Sequence, residues 1–191
     1  MLKENKIISV LTIENSSLAV DLAKCLSDSG IRNLEITLRT KEAKKAIELI
    51  LSTNLNFNIG IGTVLTLDDL KFAKDIGADF ALSPCTDIEL IKESFKIDFN
   101  FIPGVSTSSD INTAIKLGCK VLKLFPAIQL GGLSYFKSIY SPYKSSNLNF
   151  IALGGINDKN ANDFIKSEHF HGFTFQVTLT LRNHKKQIGG E

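Results

Sequence analysis

INTAIKLGCKVLKLFPA, residues 111–127, carries the pattern that decides the fold. A helix-like run leads into Gly118, the kind of residue that closes a helix in the left-handed conformation, and an apolar strand follows at once. The same plan recurs in LAVDLAKCLSDSG-IRNLEITLRT (18–40) and LDDLKFAKDIG-ADFALSP (67–84), where Gly30 and Gly77 take the place of Gly118. Ahead of the helices, Asn15, Ser16, Thr66 and Ser106 to Ser109 offer side chains for N-caps.

Extended along the chain, the pattern predicts strands near 7–13, 33–38, 58–64, 79–84, 99–105, 120–126, 149–155 and 172–178. Helices are predicted near 16–29, 41–52, 67–76, 86–95, 107–117, 133–140 and 157–167. Strands nearly continuous in apolar residues and alternating with helices imply a parallel sheet covered by helices. Eight such units imply a single-domain (β/α)₈ TIM barrel over residues 1–191, with an atypical or incomplete C-terminal strand and helix. An open dinucleotide-binding sheet is excluded, because no G-x-G-x-x-G follows a strand and GIGT (60–63) continues into Val-Leu.

Composition narrows the function classes. The chain has 191 residues, 43% apolar and 22% charged, with a net charge of +2. Such a balance gives no reason to expect nucleic acid or an anionic membrane as partner, and leaves a small anionic substrate open. The opening segment is too short and interrupted in its apolar run for a signal peptide, and no run is long enough for a membrane span. Cys25, Cys85 and Cys119 are odd in number and far apart, which points to a reducing, cytoplasmic setting without a disulfide frame.

Lys123 stands inside VLKLFPA, where the strand should be most apolar. Side chains alternate along a strand, so Leu34, Ile36 and Leu38 share one face of NLEITLRT while Glu35, Thr37 and Arg39 share the other. Likewise Lys123 shares its face with Val121 and Phe125, opposite Leu122 and Leu124. In a barrel the aliphatic faces pack on the helices, which directs Glu35, Arg39 and Lys123 inward. Both Glu35 and Lys123 lie five residues beyond their repeat glycine, so they stand at similar heights. One reading is a structural ion pair that fixes strand register. The other is chemical: an apolar pocket lowers a lysine's pKa and exposes a neutral amine able to form a Schiff base with a ketone. Glu35 then suits a proton shuttle, and Arg39 a forked donor for a carboxylate. Lysine, carboxylate and arginine together point to a metal-free aldolase.

Six motifs add a resemblance: LEITLRT (34–40), GIGTVLT (60–66), ALSPCT (81–86), FIPGVST (101–107), KLFPA (123–127) and LGGI (153–156). In order and spacing they resemble the family of 2-keto-3-deoxy-6-phosphogluconate (KDPG) aldolase and 4-hydroxy-2-oxoglutarate (KHG) aldolase. The resemblance spans about residues 7 to 165. It implies a class I aldolase on a (β/α)₈ barrel, cleaving a 2-keto-3-deoxy or 4-hydroxy-2-keto acid to pyruvate and an aldehyde. It implies Lys123 as the Schiff-base lysine, Glu35 as the general acid/base, and Arg39 and Thr63 as ligands of the pyruvate carboxylate. Pro84 would line the pocket, and Gly154 and Gly155 would donate backbone N–H groups to a substrate phosphate. No metal, no cofactor and a homotrimer are implied as well.

The sequence departs from that family at three places. Ile128 follows F-P-A where the family commonly has glutamate, and Leu153 precedes G-G where it has threonine. Residues 172–191 contain no G-G-S, and Gly189 and Gly190 lie too near the end to serve. These departures keep a second reading in play, a non-catalytic barrel that binds a small keto acid or phosphate. A phosphate-binding isomerase is a third reading, though it gives the buried lysine no role. His169, His171 and His184 lack ligand spacing and read as surface residues rather than a metal site. Cys85 reads as a possible pocket residue, Cys25 and Cys119 as small core residues, and Ser108-Ser109 as helix capping.

Overall fold

The computed structural model describes residues 6–177, and His184, Gly189, Gly190 and the end of the expected strand 172–178 lie outside them. Nine parallel strand segments follow one another: β1 (Ile7–Leu11), β2 (Asn33–Thr37), β3 (Asn58–Gly62), β4 (Phe80–Leu82), β5 (Phe101–Ile102), β6 (Gly104–Val105), β7 (Val121–Leu124), β8 (Asn149–Ala152) and β9 (Phe170–Val177). The helices between them are α1 (Ala19–Asp28), α2 (Ala43–Leu51), α3 (Leu67–Asp75), α4 (Ile88–Lys96), α5 (Ser108–Lys116), α6 (Gly132–Tyr140) and α7 (Ala161–Ile165).

The strands run β5-β4-β3-β2-β1-β9-β8-β7-β6 around the sheet. Its two ends, β5 and β6, are halves of the one strand expected over 99–105, divided at Pro103. Proline has no N–H to give the ladder, but its carbonyl still accepts from the Lys123 N–H at 2.9 Å. With β1 paired to β9, Ile7 opposite Phe173, the sheet forms a nearly closed barrel.

Alternation along the strands sorts the apolar residues into an outer layer and an interior. Leu34 and Ile36 of β2 and Ile59 and Ile61 of β3 pack on Ala19 and Ala23 of α1 and Ala46 and Ile47 of α2. On the other flank Leu122, Leu124, Phe150 and Phe170 pack on α5, α6 and α7, where Phe136 meets Phe170 at 4.6 Å and Phe150 at 4.8 Å between ring centroids. Burying each such side chain contributes about 1.5–3 kcal/mol. Inside the barrel a separate cluster of Ile8, Phe80, Leu82, Ile102 and Ile151 forms an apolar plug.

Local signals set the helix starts. Thr66 accepts from the Asp69 N–H at 3.1 Å to cap α3, and Asp87 accepts from the Leu90 N–H at 2.9 Å to cap α4. At α5 the cap is Thr107, closed reciprocally by Asp110; Ser108 and Ser109, read as capping residues, lie inside the helix. The helix expected from residue 16 opens with a 3₁₀ turn over Ser16–Leu18, because Asn15 caps that turn and Ser16 is held by Glu42. Cys119 is buried as expected, whereas Cys25 is exposed, on the solvent side of α1 between the buried Ala23 and Leu26.

Candidate active site

Glu35 of β2 and Lys123 of β7 come from distant strands and meet inside the barrel. Both side chains are 1% exposed, and Lys123 Nζ donates to Glu35 Oε1 at 3.4 Å. The alternation read from the sequence therefore holds at both strands. Burial lowers the Lys123 pKa from its ordinary value; the Glu35 carboxylate pulls it back up through charge and hydrogen bonding, and Arg39 lowers it further. Burial dominates, so a neutral amine becomes accessible below the usual lysine range. The Phe125 ring lies 5.2 Å from Nζ. Among the described residues, Glu35 Oε2 is buried and finds no hydrogen-bond partner. An orphaned carboxylate oxygen costs stability.

Arg39 departs from the expected placement. It sits in the turn after β2 and is exposed at the rim, not buried on the strand's inward face. From there its Nε donates to Thr63 Oγ1 at 3.2 Å. Thr63 has φ +62°, a left-handed backbone that a β-branched residue adopts at a cost of roughly 1–3 kcal/mol. The chain is held on either side of it: Leu38 N–H donates to Gly62 O at 2.9 Å and Val64 N–H to Leu82 O at 3.1 Å. The strained residue thus presents its hydroxyl beside the guanidinium.

A cavity of about 320 Å³ opens at this end of the barrel, bordered by Arg39, Phe125, Leu153, Gly154, Gly155 and Thr174. Gly154 (φ +104°) and Gly155 (φ +75°) form a tight turn against Pro126 and Ile128, where a Cβ at either glycine would come within 3 Å of its neighbour. Their carbonyls accept from Ile128 N–H and from the Asn160 side chain, while the two N–H groups make no hydrogen bond among the described residues. Leu153, the residue in place of the family's threonine, gives the cavity an apolar wall and is itself 6% exposed. Pro84 stands at the end of β4, its carbonyl packed against Gly104, which is the register partner of Lys123. Cys85 is exposed beside it, does not border this cavity, and has Ser83 Oγ at 3.5 Å.

Sequence reasoning did not pick out Thr174, Phe125 or the Thr12–Thr37 hydroxyl contact of 3.2 Å just above Glu35. Their signal was the strand alternation itself, which places Thr37 on Glu35's face and Phe125 on that of Lys123. Another cavity, about 580 Å³, lies on the flank between α6 and α7, lined by Lys137, Lys144, Lys166, Asp163 and Glu168 among others, away from the Lys123–Glu35 pair. His169, read as a surface residue, borders it and packs on Tyr140 at 4.9 Å between ring centroids. Among the described residues no group of three or more His, Cys, Asp or Glu is placed to hold a metal ion. No helix among them is long and apolar enough to cross a membrane.

The profile described as "Aldolase: KDPG and KHG aldolase" matches residues 1–175. The chain is 34% identical over 164 residues to the 2-dehydro-3-deoxy-phosphogluconate aldolase of Haemophilus influenzae, covering 86% of this chain and 76% of that protein. The crystal structure of 2-keto-3-deoxy-6-phosphogluconate aldolase from Zymomonas mobilis matches with a TM-score of 0.84 at 30% identity, covering 89% of this chain and 81% of that one. KDPG aldolase from Legionella pneumophila, with pyruvate captured at low pH as a covalent carbinolamine, matches with a TM-score of 0.83 at 34% identity, covering 88% and 81%.

Proposed function

The chain belongs to the KDPG and KHG aldolase family, whose members are carbon–carbon lyases, and from that premise we propose that it works through a Schiff base on Lys123. The observation that carries the proposal is the buried Lys123–Glu35 pair at 3.4 Å, with one carboxylate oxygen left open. The substrate is a 2-keto-3-deoxy or 4-hydroxy-2-keto acid, with 2-dehydro-3-deoxy-6-phosphogluconate the leading candidate. The neutral Lys123 amine adds to the C2 ketone, and the carbinolamine takes a proton from Glu35 as it loses water, which gives a protonated imine. Glu35 then takes the proton of the C4 hydroxyl as the C3–C4 bond breaks. The electron pair of that bond flows into the imine to leave an enamine, and the aldehyde departs. Glu35 returns its proton to C3, and water hydrolyses the imine to pyruvate and the free amine, the released proton going back to Glu35. The imine is the electron sink, so no step calls on a metal or cofactor.

On this reading Arg39 and Thr63, hydrogen-bonded to each other, hold the carboxylate of the keto acid. The N–H groups of Gly154 and Gly155, without hydrogen bonds among the described residues, suit the phosphate of glyceraldehyde 3-phosphate, and glyoxylate is the aldehyde if the substrate carries none. Pro84, which does not border the described cavity, is assigned to the pocket only by its place in the family's S-P segment. The Legionella relative, which holds pyruvate as a carbinolamine, supports the covalent route. The reading also takes residues 1–191 as one domain in the cytoplasm, consistent with free thiols at Cys25, Cys85 and Cys119. Assembly as a homotrimer completes it; Leu65, Leu67 and Ile88, exposed at the starts of α3 and α4, offer apolar surface for such contacts, and sedimentation velocity tests it.

Borohydride reduction of the protein with pyruvate, followed by peptide mass spectrometry, is the direct test. A pyruvyl adduct on Lys123 is expected; a folded sample without one sinks the Schiff base. Ile128 and Leu153 favour one rival, a barrel that binds a keto acid without turning it over. That rival requires ligand affinity to survive replacement of Lys123 and turnover to be absent from the start.

A further inference from the structure

The carboxylate of Glu35 does not lie level with its own strand position. Its register partner on β3 is Gly60, yet its carboxyl group reaches one step further along, over Gly62. A Cβ built on Gly62 would stand 2.7 Å from Glu35 Cγ, 2.8 Å from Cδ and closer still to Oε1. Gly62 has no left-handed φ, so its backbone would accept any residue, and the requirement for glycine there comes from space alone. The two inward glycines of β3 differ in what they accommodate. A Cβ on Gly60 would meet the ring of Phe80, a rigid part of the apolar plug, whereas on Gly62 it would meet the end of a flexible side chain.

We propose that Gly62 is a positioning residue for the proton-carrying carboxylate: its missing side chain is the niche that lets Glu35 rest beside Lys123 with one oxygen open. The inference rests on the Schiff-base reading given above. A methyl group there displaces the carboxylate by about 1 Å, and misplacement of that size costs on the order of 10²-fold in rate. Because a side-chain end yields more easily than a ring, the fold survives the substitution and the chemistry does not.

The test follows exchange of the pyruvate methyl hydrogens into D₂O by proton NMR, which reads proton transfer at C3, in the wild type, Gly62→Ala, Glu35→Asp and the double variant. Gly62→Ala is expected to exchange about 10²-fold more slowly than wild type, with a pyruvyl adduct still trapped on Lys123 after long incubation. The double variant is expected to lose less than the product of the two single losses, because the shorter Asp retreats from the added methyl. Exchange by Gly62→Ala within about twofold of wild type, or losses that simply multiply, overturns the inference. Should Gly62→Ala not fold, Glu35→Ala/Gly62→Ala decides: the niche requires its melting temperature to return to that of Glu35→Ala, and failure to return overturns it. A wild type that neither exchanges nor traps pyruvate would instead strike the Schiff-base reading itself.

Discussion

Two buried polar pairs begin two residues apart on the same face of β2, and they are built on opposite terms. Asn33, at the foot of the strand, accepts from Asn58 Nδ2 at 3.0 Å and donates to Ile7 O at 3.2 Å. Its amide is neutral and satisfied on both sides, as buried polar groups in a structural role generally are. Glu35, one inward step higher, has Lys123 at 3.4 Å on one oxygen and, among the described residues, no hydrogen-bond partner on the other. Polar burial alone does not mark a site. A partnerless carboxylate oxygen beside a desolvated amine is what sets Glu35 apart from Asn33, and perturbed titratable groups of that kind cluster at functional sites.

The largest effect that would break this contrast is at Lys123. Lys123→Met should abolish pyruvate trapping and lower aldol cleavage by ~10⁴-fold or more, checked by a coupled pyruvate assay. The same variant bears on stability. The native Lys123 pKa lies below the unfolded value of about 10.4, so between the two the unfolded chain binds the extra proton and stability rises with pH. Urea midpoints across that alkaline window should slope upward in the wild type and lose that contribution in Lys123→Met.

Next in size is Glu35→Gln, which should reduce turnover by about 10²- to 10⁴-fold while the adduct on Lys123 can still be trapped. Equal loss of adduct and turnover would assign the carboxylate to holding the lysine rather than moving protons. At the foot of the strand the opposite pattern is expected. Asn33→Ala should cost about 1–3 kcal/mol in urea unfolding, by removing the buried hydrogen bonds of Asn33 with Asn58 and Ile7, with kcat unchanged. A fall in kcat at Asn33 would erase the distinction between the two pairs.

Two smaller effects sharpen it. Thr63→Gly should stabilise the protein by about 1 kcal/mol, because glycine accepts φ +62° without strain, while raising the pyruvate KM through loss of the hydroxyl beside Arg39. Asp110 offers a satisfied carboxylate to set against Glu35. Burial pushes its pKa up, but hydrogen bonds from Ser106 and Thr107 bring it below the ordinary value. A depressed carboxylate gives stability above its unfolded pKa of about 3.9 and loses it as pH falls through the lower native value. Acid unfolding of Asp110→Asn should lack that part of the pH slope, with no change in activity at neutral pH.

Much of this was legible in the sequence, for a simple reason. Period-two alternation in NLEIT and VLKL assigns Glu35 and Lys123 to one side of the sheet and their aliphatic neighbours to the other, and barrel closure does the rest. What escaped depends on neighbouring strands. The niche over Gly62 exists only because β2 and β3 pair in one particular register. Arg39 was read as directed inward because its motif continues the alternation, yet β2 ends at Thr37 and the arginine leaves with the turn. Cys25 was read as core from its residue type, whereas its place on α1 faces water. The division of one strand at Pro103 follows from a missing donor, which the sequence displays but the apolar pattern around it conceals.

Closure of the barrel through β1 and β9 has a consequence for how the protein is made. Ile7 finds its partner Phe173 only after more than 160 further residues have been added. At roughly 5–20 residues per second, β1 waits on the order of ten to thirty seconds on the ribosome with one edge bare. An apolar strand with unpaired backbone groups is a template for other chains. The chain therefore stays open to misassociation along β1 until β9 is made, even with the other eight described strand segments already in place.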